Sequence, residues 1–131
     1  MKTIPRAENL LFLNNGNSTF KNVTKEYGLS DLMSFSTGAC FGDFNLDGYP
    51  DIYVGNYFLE YEGTLAAIND ATIVNANQTA KGYLLENEDG KYLSNVYADY
   101  GLTHRGFGFG ASFTDYDNDG DLDLFVNHDF G

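Results

Sequence analysis

Basic residues are scarce in this chain: seven Lys and Arg stand against nineteen Asp and Glu, a formal charge of −12 over 131 residues. That field repels nucleic acid and anionic membrane surfaces and favours small cations. Cysteine is nearly absent. Cys40 alone permits neither an intrachain disulfide nor a cysteine zinc cluster, and reads as a small packing residue. No apolar run approaches the roughly eighteen residues of a membrane span, and the opening "MKTIPRAENLLFLNNG" holds no stretch of signal-peptide length. No Ser, His and Asp arrangement is legible, Cys40 has no adjacent histidine, and His104 and His128 read as lone surface or capping residues. "RGFGFGAS" from Arg105 misplaces the third glycine of a dinucleotide loop and runs into strand, not helix; its glycines suit an inner strand passing close to its neighbours. What is present, 43% apolar and 16% aromatic residues, argues for a globular domain.

The acidity is local. Asp43, Asp47 and Asp51 fall in one nine-residue window and Asp115, Asp117, Asp119, Asp121 and Asp123 in another, so eight of the nineteen acids lie in two short stretches. Without them the net charge would be about −4, ordinary for a soluble domain. "DYDNDGDLD" contains no Lys or Arg. Two carboxylates about 5 Å apart repel by roughly 3 kcal/mol at an effective dielectric near 20, so such a loop calls for a positive partner that the sequence does not supply.

The two windows belong to an internal repeat. "GACFGDFNLDGYPDIYVGNYF" from Gly38 overlies "GASFTDYDNDGDLDLFVNHDF" from Gly110 at an offset of 72 residues, which places Asp43 on Asp115, Gly48 on Gly120, Asp51 on Asp123 and Phe58 on Phe130. "LFLNNGNSTF" from Leu11 overlies "YLLENEDGKY" from Tyr83 at the same offset, and Gly28-Leu29 matches Gly101-Leu102 one residue out of register. Each unit reads as β: short aromatic and β-branched runs flank Gly- and Asp-rich turns. Four strands from about Ser36 to Val96 make one whole unit, preceded by a half unit over Asn9–Val23 and followed by a half over Phe107–Phe130. The repeat units thus span about 9–58 and 83–130, with 59–82 as an inserted loop bearing one helical turn. The acceptor pattern for N-glycosylation occurs at Asn17, Asn22 and Asn77 and decides nothing.

Calcium takes six to eight oxygen ligands from carboxylates, amide and backbone carbonyls and water. Asp43, Asn45 and Asp47 stand at positions 1, 3 and 5 of the first loop, the Tyr49 carbonyl at 7 and Asp51 at 9, with Gly48 at the turn. Asp115, Asp117, Asp119, the Asp121 carbonyl and Asp123 take the same places in the second. An EF-hand begins alike but needs Glu at position 12, where Val54 and Val126 stand. All-oxygen ligation disfavours zinc and copper. Two calcium sites are expected, one in each hairpin bend.

These stretches resemble FG-GAP/VCBS repeats, the units of integrin α-subunit β-propellers and of many bacterial secreted proteins, and "NLLFLNNGNSTFKNVTKEYGL" is most similar to the bacterial branch related to cartilage acidic protein. The resemblance implies an all-β propeller fragment with blades of four antiparallel strands, loaded with calcium and placed outside the cytoplasm, extracellular, periplasmic or at the cell surface. It departs at Thr114, where the first unit has Gly42, and at "NNGNST", which lacks the usual Asp-Gly turn. Closed propellers use four to eight blades and this chain encodes about two. Its complementary half units could join head to tail between copies, and a fragment of a longer protein would show the same pattern. The function expected is a non-enzymatic adhesion, interaction or assembly module with a protein partner or its own copies as ligand. The alternatives are a lectin that stacks exposed tyrosines on a glycan, or part of a polysaccharide-degrading enzyme.

Overall fold

The computed structural model describes residues 3–59, 61–62 and 79–129. Residues 60 and 63–78, the greater part of the expected insertion and its Asn77, lie outside the described residues, as does Phe130. Every regular element among the described residues is a strand: β1 (Thr3–Ile4), β2 (Ala7–Glu8), β3 (Phe12–Asn14), β4 (Phe20–Asn22), β5 (Met33–Ser34), β6 (Ser36–Gly42), β7 (Asp51–Asn56), β8 (Tyr61–Glu62), β9 (Tyr83–Glu88), β10 (Tyr92–Asn95), β11 (Gly108–Thr114) and β12 (Asp123–His128). No helix there is long and apolar enough to cross a membrane.

The whole unit is a four-stranded antiparallel sheet in the order β10-β9-β7-β6. β3–β4 and β11–β12 are separate two-stranded hairpins, so half unit, whole unit and half unit stand in sequence as expected, and the described residues close no ring. β7 is buried along its whole length because it pairs on both edges, with β6 and with β9. The repeat extends to irregularities. Ser36 pairs Asn56 and Gly108 pairs His128, and each inner hairpin carries a bulge at the same place, Ser36/Gly38 and Gly108/Gly110.

The outer strands correct the offset read from sequence. The Val23 N–H donates to the Leu11 carbonyl as the Val96 N–H donates to that of Leu84, so Leu11 is the counterpart of Leu84, and the offset in β3 is 73. Backbone hydrogen bonding, blind to side-chain likeness, decides the register: Phe12 pairs Asn22 as Leu85 pairs Asn95, so the whole hairpin shifts together, and the extra residue of the first unit falls between Leu29 and Ser36.

Two apolar clusters hold the units together. Leu29, Ile52, Val54, Leu85 and Leu93 face the N-terminal hairpin, with Leu11 packed against them. Tyr53, Leu84 and Tyr97 face the C-terminal hairpin and meet Phe113, Leu124 and Val126. Cys40 packs half-buried at this second cluster, where burial raises its thiol pKa, in keeping with a packing role. The inner strands approach closely where glycine permits. A Cβ on Gly108 would lie 2.9 Å from the Asn56 carbonyl oxygen, and the Thr37 hydroxyl donates to the Gly108 carbonyl at 2.7 Å.

Candidate metal centres in two equivalent loops

Each loop is wound around its first aspartate. Asp43 Oδ1 accepts the Asp47 N–H at 3.1 Å and Oδ2 the Gly48 N–H at 2.9 Å; Asp115 accepts from Asp119 and Gly120, both at 3.1 Å. Asp47 Oδ1 then accepts the Tyr49 N–H, and Asp119 Oδ1 that of Asp121. The ninth residue ties the far strand to the loop: Asp51 Oδ2 accepts the Phe44 N–H at 3.1 Å, and Asp123 Oδ2 the Tyr116 N–H at 2.9 Å. Backbone angles repeat as well, with positive φ at Leu46 and Asn118 (59° and 62°) and at Gly48 and Gly120 (92° and 99°). Asparagine and glycine accept that conformation readily; exposed Leu46 holds it at a cost.

In the second loop, carboxylate oxygens of Asp115, Asp117 and Asp123 all lie within 4.8 Å of one another. Oxygens on opposite sides of a bound calcium stand about 4.6–5.2 Å apart, so donors at this spacing could hold a hard cation. Asp119 repels Asp121 and raises its carboxyl pKa, the expected mark of crowded like charge.

The first loop differs in exposure and in one ligand. Asp51 is completely buried, and its Oδ1 accepts the Asn87 N–H at 2.8 Å. Burial raises its pKa, with the Asn87 and Phe44 N–H groups acting in the opposite sense. The ion pairs among the described residues, Lys21–Glu26 and Lys91–Asp89, are exposed and include no carboxylate of either loop. Asn45, the neutral counterpart of Asp117, donates from Nδ2 to Glu86 Oε1 at 3.1 Å. Glu86 in β9 is therefore a candidate ligand that the sequence did not single out. It brings the first loop to four carboxylates, with Asp43, Asp47 and Asp51, matching Asp115, Asp117, Asp119 and Asp123 in the second. Only the pairing of β9 with β7 brings it there. Tyr49 and Asp121 stand at the seventh positions of their loops, the Tyr49 ring lying over Gly90.

His104 and His128, read as lone residues, are neighbours: their rings meet edge to face at 4.9 Å. Burial, then the charge of His104, lowers the His128 pKa.

The family profile of the FG-GAP-like repeat matches residues 4–54, a segment that takes in the N-terminal hairpin, β6, the first acidic loop and most of β7. Residues 4–54 are similar to an FG-GAP-like repeat. Cartilage acidic protein 1 of Xenopus tropicalis is 39% identical over 49 residues, which make up 37% of this chain and 8% of that relative. The chain therefore spans a small part of the length of the curated relative it matches. Beyond the matched segment, β11 and β12 repeat the strands, bulge and loop bonds of β6 and β7 at an offset of 72.

Proposed function

We propose that this chain is a calcium-stabilised FG-GAP-like repeat module that serves protein interaction, adhesion or assembly outside the cytoplasm and catalyses no reaction. One observation carries the cation: three carboxylates of the second loop gathered within 4.8 Å, in a loop wound by the same backbone bonds to its first, fifth and ninth residues as the first. Calcium suits the set because every donor is oxygen and the loops are open enough for six to eight ligands. A cation in each bend links the two strands of an inner hairpin, so binding energy adds to folding energy by mass action.

The interaction role follows from the repeat family and from exposed apolar residues at both ends, such as Phe12, Phe20 and Phe125. The extracellular setting follows from the company such repeats keep and from a design that works where calcium is abundant. A glycan-binding role would rest on exposed Tyr116 and Tyr100, which line none of the cavities described among these residues. Calcium titration of the 131-residue chain tests the cation; pull-down by an immobilised glycan array with no protein partner would replace interaction by lectin activity.

A further inference from the structure

We propose that the open edge of β12 receives the N-terminal hairpin of a second copy of this chain, and that this contact completes the second acidic loop. The inference rests on the interaction-module reading and names its partner. β12 pairs only with β11 and β3 only with β4 among the described residues, so each presents a bare strand edge.

The whole unit is the template for the joint. β7 and β9 pair with Ile52 opposite Leu85, Tyr53 opposite Leu84 and Val54 opposite Tyr83. Carried through the repeat, 72 residues forward for β7 and 73 back for β9, the joint places Leu124 opposite Phe12, Phe125 opposite Leu11 and Val126 opposite Leu10 of the second copy. Exposure agrees with a missing partner. Phe125 is 63% exposed where its counterpart Tyr53 is 3%, and Phe12 is 50% exposed where Leu85 is 2%.

A cavity supplies the receptor. Behind the N-terminal hairpin lies an apolar space of about 350 Å³ lined by Leu11, Leu29, Phe41, Ile52 and Val54. Their counterparts Leu84, Leu102, Phe113, Leu124 and Val126 surround Tyr53 in the cluster facing the C-terminal hairpin. Phe125 of one copy is thus the group that fills the cavity of the next.

The second loop lacks one bond that the first possesses. Asp51 is held on both oxygens, by Phe44 and by Asn87, whereas Asp123 is held by Tyr116. The counterpart of Asn87 is Asn14. The bonds Val23 to Leu11 and Asn15 to Thr19 set the alternation of β3 and turn the Asn14 backbone N–H away from β4, toward the bare edge. In the second copy it would donate to Asp123, while its side-chain amide reaches the Leu122 carbonyl as that of Asn87 reaches Pro50. Such a contact is heterologous, and each copy adds two blades, so a ring of about two to four copies holds the four to eight blades of a closed propeller.

Sedimentation of the 131-residue chain in calcium, with Phe12→Asp and Phe125→Asp variants, tests this. The parent chain should sediment as a closed assembly. Each variant alone should be a folded monomer, since both positions are exposed, and an equimolar mixture should yield a dimer through the one intact joint. Calcium at the second loop should tighten about tenfold on mixing. A monomeric parent chain, variants that assemble as the parent does, or a mixture that stays monomeric while calcium binds would each overturn the joint. Assembly of the parent chain without any calcium uptake would support the joint and overturn the completion of the loop, which separates this inference from the cation reading.

Discussion

The backbone N–H of Asn87 donates to Oδ1 of Asp51 at 2.8 Å, across the pair of strands that forms the middle of the whole unit. A fully buried carboxylate in this position couples the first acidic loop to the outer strands, so that whatever neutralises the loop also fixes the sheet. Asp51→Ala removes the acceptor of two backbone N–H groups. It should destabilise the chain by about 3 kcal/mol or more, at roughly 1.5–3 kcal/mol per bond to a charged group. Urea unfolding in calcium measures this; a loss no greater than that of an exposed acid such as Asp99 would remove Asp51 from the framework.

Glu86 gives the first loop the carboxylate that Asn45 withholds. Glu86→Gln should weaken calcium at the first loop about tenfold, or 1.4 kcal/mol, and leave the second loop unchanged. Site-resolved titration by NMR of the Gly48 and Gly120 amides distinguishes the loops. Equal effects on both, or none, would exclude Glu86 as a ligand.

Much of this was legible before the fold. The alternation of aromatic and β-branched residues around Gly48, Gly90 and Gly120 specified hairpins, and the offset between Asp43 and Asp115 specified two like loops, because turn chemistry and ligand spacing are local. Glu86, the pairing of His104 with His128 and the one-residue slip in β3 were not legible. Each depends on which strand lies beside which, and side-chain likeness misled where Leu11 could overlie Tyr83 or Leu84 equally well.

Gly108 sits where β11 crosses the Asn56 backbone, and no side chain has room there. Gly108→Ala should cost about 1–3 kcal/mol through overpacking. Gly16→Ala serves as the contrast, since its Cβ would meet nothing within 4 Å and only its positive φ resists the change. A thermal melt showing Gly108→Ala no worse than Gly16→Ala would mean that the inner strands are not in close contact.

His128 should titrate below the ordinary histidine value of about 6.5, because burial and then His104 disfavour its charged form. The folded pKa is depressed, so the stabilising contribution of neutral His128 is present above pH 6.5 and lost as pH falls through its folded value. His104→Gln should move the His128 midpoint upward in a proton NMR titration. A midpoint at or above 6.5 in the parent chain would contradict the buried pairing.

Calcium titration calorimetry of the 131-residue chain, with melting curves in calcium and in chelator, is the most direct test of the two carboxylate loops. Two ions per chain are predicted, one lost in Asp43→Ala and the other in Asp115→Ala, with a melting temperature that falls when the chelator is added. No heat of binding together with superimposable melting curves would contradict the account.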